Sequence, residues 1–485
     1  MTAPKVKLGA VRLGIGNAFA RMPFRFGVVT MDAAASLTLE LEMTVDGKHS
    51  VGYASDLLAY KWFDKRPEKT PADNVADLLW VVHLAASIAK DLPADTPFEL
   101  WKQLDVAVDR AALAGGFNRL GASFGVSMIE RAMIDGVGKA LGLSFRAMLT
   151  NDALGLRPVD IFPQLDGMSL EDAIPSRPLT RLNLRHTIGM VDPLTAADPF
   201  EPVNDGLPET LEDYLREDGI RYLKIKLGGD LSTDIERLQA IAGVLAGGDY
   251  RIAATLDGNE QYKHLDDFAA LMEAIRSRPA LASLFAATLF VEQPLERSVA
   301  LASPLDAKAL DAIGLPLLID EADGWTSAYR EAINLGYHGV SHKNCKGVIR
   351  SLLNAMLATH HSHLAGRPGA YFQSAEDLTC LPAVSLQADL AVVAVLGIGH
   401  VERNGHHYFR GLEHLSVAEA EAALAIHPDL YERKDGRVQL AIHDGTLRVG
   451  SLEAPGLGSS VTPNLKDRIS PANWSFEMLN RTNHA

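Results

Sequence analysis

From residue 184 onward, eight short apolar runs recur with helical segments between them: LRHTIGM, RYLKIKL, RIAATLD, TLFVEQ, LPLLID, HGVSHK, GAYFQS and LGIGHVE. Strands alternating with helices in this way predict a parallel sheet covered on its outer face, and eight of them are enough to close it into a barrel. Charged residues end several of the runs. Lys226, Asp257, Glu292, Asp320 and Lys343 are spaced 31, 35, 28 and 23 residues apart. A strand-plus-helix unit of a barrel of about 250 residues takes ~31 residues, so these side chains are expected on successive strand ends. The C-terminal mouth of such a barrel is where a site is built, which would bring residues far apart in sequence into one small volume.

At 485 residues the chain exceeds one barrel and leaves room for a second domain. Residues 1–150 read as an α+β capping domain. Alternating runs flank the Asp46-Gly47 turn signal, and spaced apolar residues predict helices over 76–92, 99–114 and 127–141. Residues 151–183 are rich in Pro and lack a clean period, as a linker or insertion would be. The barrel is expected over 184–403, with a C-terminal segment, 404–485, returning to the cap. In that segment RVQLAIHDGTLRV reads as strand-like around an Asp-Gly turn.

A net charge of −15 argues against non-specific binding to nucleic acid or anionic membranes. The longest apolar run, 390–398, is far short of the ~20 residues that span a bilayer. Cys345 and Cys380 are the only cysteines, the start of the chain has no signal-peptide pattern, and a cytoplasmic location is expected.

Three carboxylates converging at the ends of apolar strands repel one another and are costly to desolvate unless a cation lies between them. All-oxygen ligation favours Mg2+, or Mn2+, over zinc. Lys224 and Lys226 are two residues apart in a strand and share one face. If that face is the interior, each makes the other harder to charge, and such a lysine can serve as a base near neutral pH.

The strings KIKLGG, TLDGNEQY, FVEQPLE, LLIDEA and SHKNCKG resemble consecutive barrel motifs of the mandelate racemase/muconate-lactonizing branch of the enolase superfamily. SMIERAMIDGVGKALG resembles the helix that precedes its barrel, and PGLG its closing segment. The resemblance implies a modified TIM barrel, (β/α)7β-like, with an N-terminal α+β cap completed by the C-terminal segment. It also implies Asp257, Glu292 and Asp320 as metal ligands, Lys224 and Lys226 as the KxK lysines, and Lys343 on the opposite face. Asn259 is similar to the supporting polar residue after the first ligand. The seventh strand end, AYFQSAED, has no His, which matches the muconate-lactonizing pattern. The implied reaction is abstraction of the α-proton of a small-molecule carboxylate to give an enediolate, followed by racemisation, epimerisation or cycloisomerisation, or else by loss of a leaving group as in acid-sugar or hydroxy-acid dehydratases. Members of this family are usually homo-oligomers.

Weaker substrate-contact candidates are His186 in the first barrel strand, Phe24 in a segment resembling the family's closing loop, and Glu376 at the seventh strand end. Each also has a structural reading. The acidic residues would serve equally as helix caps if taken singly, and single lysines as snorkelling surface groups. Glu321 competes with Asp320, since alternation turns only one of them inward; the resemblance selects Asp320. Lys346 reads as solvated. His360, His361 and His363 lie on different faces of a helix and do not read as a zinc site. Two rival classes are a metal-free Schiff-base lyase using Lys343 and a non-catalytic barrel.

Overall fold

The computed structural model of the chain describes residues 2–26 and 29–480. The N-terminal part is an antiparallel sheet of β1 (Val6–Phe26), β2 (Val29–Val45) and β3 (Lys48–Leu57), with a tight turn at Asp46-Gly47. Against it lie helices α1 (Pro71–Asp91), α2 (Pro97–Ala114) and α3 (Arg119–Leu141). Thr70 and Asp73 form a reciprocal capping box at the start of α1, with Pro71 in its first turn. α1 is long and apolar enough to cross a membrane, but Val75, Leu78, Val81, Val82 and Ala85 are buried in the cap core. α3 is buried along most of its length and approaches β3 closely. A Cβ on Gly52 would lie 1.9 Å from the Ala132 carbonyl oxygen, so only glycine fits there.

Among the described residues, eight parallel strands follow: β4 (Arg181–Ile188), β5 (Tyr222–Lys226), β6 (Ala253–Asp257), β7 (Thr288–Glu292), β8 (Leu317–Ile319), β9 (Gly339–His342), β10 (Phe372–Ala375) and β11 (His400–Arg403). β11 pairs with β4 and closes the barrel. Residues 151–183 carry only short 3-10 turns before β4, whose first residues, 181–183, fall inside this expected linker.

The C-terminal segment differs in one respect from its sequence reading. β12 (Tyr431–Lys434) and β13 (Arg437–Leu440) form a hairpin around Asp435-Gly436, whereas β14 (Thr446–Arg448) pairs with β4. Of two Asp-Gly pairs in the stretch, the earlier one makes the hairpin. Beyond it the chain returns to the cap. Leu457 N–H donates to Asp135 of α3, Ile469 bridges to Ile15, and Trp474 Nε1–H donates to Asn17.

The barrel interior is layered. Tyr222, Phe290, Phe372 and His400 form an aromatic floor, with Tyr222 stacked on His400 and Arg185 over the Phe290 ring. The side chains that face inward above this floor are charged or polar.

Candidate active site

In-register pairing sets Lys226, Asp257 and Glu292 side by side across β5, β6 and β7. Glu292 pairs with Leu318 on β8, so Asp320, two residues on, shares the same face one step higher. Ser341 and Lys343 follow from β9, Ser374 and Glu376 from β10, and Glu402 from β11. In a ring of eight strands β5 and β9 are four apart, which places Lys226 and Lys343 on opposite walls with the three carboxylate-bearing strands between them.

At the centre lies Lys224. Its ammonium is 2.9 Å from Glu292 Oε1, 2.9 Å from Glu376 Oε2, 2.9 Å from Glu402 Oε2 and 3.1 Å from Asp257 Oδ2. Lys226 Nζ donates to Asp257 at 2.6 Å and Lys343 Nζ to Asp320 at 2.6 Å. Asp320 also accepts from Ser341, and Lys346 holds Asp323 at 3.0 Å. Below them Arg185 pairs with Glu376 and donates to Ser374 and the Ala375 carbonyl. All these groups but Lys226 are buried.

The electrostatics follow from the crowding. Burial lowers the affinity of Lys224 for its proton, but Asp257, Glu292, Glu376 and Glu402 outweigh it and raise the pKa well above the ordinary lysine value. Burial likewise opposes the charge on Lys343, and Asp320, aided by Glu292 and Glu402, overrides it in the same direction. For Lys224 the expectation of a depressed pKa is therefore corrected: carboxylates arriving from four strands reverse the sign. For Glu292, burial and the charges of Asp257 and Glu376 push the carboxyl well up. Its Oε2 accepts no hydrogen bond, although Lys224 Nζ is 2.7 Å away. Six carboxyl groups, Asp257, Glu292, Asp320, Asp323, Glu376 and Glu402, face five cations, Lys224, Lys226, Lys343, Lys346 and Arg185, and a proton retained on Glu292 balances the sixth.

A cavity opens above this set, with a free volume of about 40 Å3. Lys224, Lys226, Asn259, Asp320, Glu321, Lys343, Asp377, Glu402 and Asn404 line it from the barrel, and Phe24, Met31, Leu57, Ala59 and Trp62 from the cap. Lys343 Nζ lies 4.6 Å from the centroid of the Trp62 ring system. Arg297 pins the cap loop to the mouth through the Trp62 and Phe63 carbonyls, at 2.8 and 3.0 Å. Phe24 stacks on Tyr408 at 4.1 Å. Asn259, with φ of 48°, donates its N–H to Asp257 at 2.8 Å. Glu321 also lines the cavity, 3.7 Å from Lys65; burial and Glu260 push its carboxyl up to about 7.

Three sequence readings change. His186 points out of the barrel, because its neighbour Arg185 takes the inward register. It packs on Tyr214 at 4.2 Å, and its Nδ1 lies 3.1 Å from His406 Nε2. Glu376 faces inward but is sealed beneath Lys224 and does not line the cavity. Lys346 is buried, because the 3-10 turn Asn344–Lys346 curls its side chain back toward Asp320 and Asp323. Sequence reasoning misses Arg185, Glu402, Ser341, Trp62 and Gln293. Gln293 Oε1 accepts from Asp320 N–H at 2.8 Å and fixes the end of β8. Of these, Glu402 ends the run LGIGHVE and obeys the same rule as the ligand candidates.

Asp257, Glu292 and Asp320 fit a hard divalent cation in donor chemistry and in their placement on adjacent strands. In the arrangement described, lysines hold their oxygens apart, and among the described residues no three His, Cys, Asp or Glu side chains converge as a ligand set.

No family model and no curated protein matches the chain. Among solved structures, it has the capped-barrel fold of the mandelate racemase/muconate-lactonizing enzymes of the enolase superfamily. It is similar to an enolase, a putative sugar isomerase, from Streptomyces coelicolor: 17% identity, 94% of each chain covered, TM-score 0.59. It is also similar to a dipeptide epimerase from Enterococcus faecalis V583 complexed with Mg and a dipeptide (15% identity, 93% of this chain and 99% of that one, TM-score 0.59). A third likeness is to a muconate lactonizing enzyme from Pseudomonas fluorescens complexed with muconolactone (14% identity, 94% and 96%, TM-score 0.56).

Proposed function

We propose that the chain is a Mg2+-dependent enzyme of the enolase superfamily that removes the α-proton of a small carboxylate substrate to give an enediolate, which either regains a proton on the other face, as in a racemase or epimerase, or makes or breaks a ring bond, as in a cycloisomerase. The observation that carries this reading is the pair of lysines, Lys226 and Lys343, on opposite walls of one cavity with Asp257, Glu292 and Asp320 on the three strands between them. Lys226 is the more open of the two, at 11% side-chain exposure against 5%. It would serve, as the neutral amine, as the base that takes the α-proton once a divalent ion engages Asp257, whose carboxylate holds the ammonium at 2.6 Å here. Lys343, kept protonated by Asp320, is the donor on the opposite face. A divalent ion held by Asp257, Glu292 and Asp320 would supply the positive charge that orients the substrate carboxylate and neutralises the developing enediolate. Phe24 and Trp62 cover the cavity above the reacting carbon and exclude water there. The Schiff-base alternative needs a neutral amine at Lys343, which the ion pair with Asp320 opposes.

The test is solvent deuterium incorporation at the α-carbon, measured by NMR across a panel of amino-acid derivatives, dipeptides, hydroxy acids and lactones. Metal-dependent incorporation into one class, abolished by chelation and restored by Mg2+, is expected. Exchange that persists in excess chelator would overturn the metal assignment.

A further inference from the structure

The ammonium of Lys224 lies between two of the proposed metal ligands, Asp257 and Glu292, and two carboxylates that are not ligands, Glu376 and Glu402. With all four at 2.7–3.1 Å and the side chain 1% exposed, no room remains for a second cation among the same oxygens. Mg2+ binds carboxylate oxygens at about 2.0–2.1 Å, so on Glu292 it would lie against the Lys224 ammonium, and two cations on one buried carboxylate repel each other. Glu376 directly follows β10 and Glu402 lies on β11, away from the ligand-bearing strands, and both have further hydrogen-bond partners. Arg185 and Ser374 donate to Glu376; Thr187 Oγ1 donates to Glu402 at 2.6 Å and the Asp377 N–H at 2.9 Å.

We infer that Lys224 is an internal counter-ion that competes with a divalent cation for Asp257 and Glu292, while Lys343 holds the third proposed ligand, Asp320, and that Mg2+ would bind as the Lys224 ammonium gives up Asp257 and Glu292 and withdraws onto Glu376 and Glu402. This rests on the metal reading proposed above and adds a residue that sets metal affinity. Glu376 and Glu402 then have a purpose that ligand chemistry alone does not give them: they hold the displaced charge inside the barrel, so Lys224 need not be expelled into water.

Crystals of the full chain grown without metal and then soaked in MnCl2, whose anomalous signal marks the ion, separate the outcomes. Mn2+ bound to Asp257, Glu292 and Asp320, with Lys224 Nζ beyond hydrogen-bonding distance of Glu292 and still on Glu376 and Glu402, is the expected result. Bound Mn2+ with Lys224 unmoved overturns the inference and leaves the metal reading standing; no bound ion at millimolar Mn2+ overturns both. In solution, free Mn2+ measured by electron paramagnetic resonance should show Lys224→Met binding the ion at least tenfold more tightly than wild type. Equal or weaker binding would count against competition. If that variant fails to fold, the soaked wild-type crystal decides alone.

Discussion

Replacing Arg185 with Met asks whether the carboxylates under the site are held by counter-charge. Arg185 and Glu376 are both fully buried, and the guanidinium supplies Glu376 with its partner on the side away from Lys224. Met fills much of the volume over the Phe290 ring without the charge. Removing one partner of a buried pair costs about 3–5 kcal/mol. Lys224 and Ser374 still reach the Glu376 carboxylate, so the middle of that range, about 4 kcal/mol, is the most the variant should lose. With an unfolding entropy near 2.1 cal/mol/K per residue, a 4 kcal/mol loss lowers Tm by about 4 °C if cap and barrel melt together, and by roughly twice that if the barrel melts alone. Urea unfolding and thermal melts at pH 7, for wild type, Arg185→Met, Glu376→Leu and the double variant, close the cycle. The double variant should recover most of the loss, because it removes the pair together. A loss below about 1 kcal/mol at pH 7, or additive single effects, would refute the account of the polar interior.

Other consequences are open to measurement. Lys226→Ala and Lys343→Ala should keep native circular dichroism while α-proton exchange falls about 10²–10⁴-fold. Undiminished exchange in either removes that lysine from the reaction. Glu130, buried in α3, has its carboxyl pushed up to about 7 by burial, against the opposing pull of the Ile349 N–H and of Arg350 and Arg131. Between its ordinary value of 4.5 and about 7 the folded chain keeps a proton that the unfolded chain has lost, so stability falls as pH rises through that window. Glu130→Gln should therefore gain stability above pH 7, by an amount on the order of 3 kcal/mol, and match wild type near pH 4.5; parallel stability curves would show the shift is absent. Millimolar Mg2+ should raise Tm, with about 2.7 kcal/mol of stabilisation at a hundredfold excess over Kd, and Asp257→Asn should remove that gain.

What the sequence makes legible is a matter of range. Asp257, Glu292 and Lys226 are readable because each ends its own apolar run, and a strand end is a local property. Register is not local. Arg185 and His186 are adjacent in one run, and a one-residue slip exchanges which faces the barrel. The chemically familiar histidine draws the eye, yet pairing with Tyr222 and Leu223 turns the arginine inward. Lys346 fails for a related reason: three residues past Lys343 it lies in a turn whose curvature, not its periodicity, carries the side chain back to Asp323. The charge state of the lysines is the least local of all. Two lysines on one face predict mutual depression only if little else is near, and Glu376 and Glu402 arrive from more than 150 residues away in sequence to reverse the sign at Lys224. A strand-end rule applied evenly would have found Glu402. That it must also hold Lys224 follows only when the barrel closes through β11 and β4, because closure is what brings the last strand beside the first.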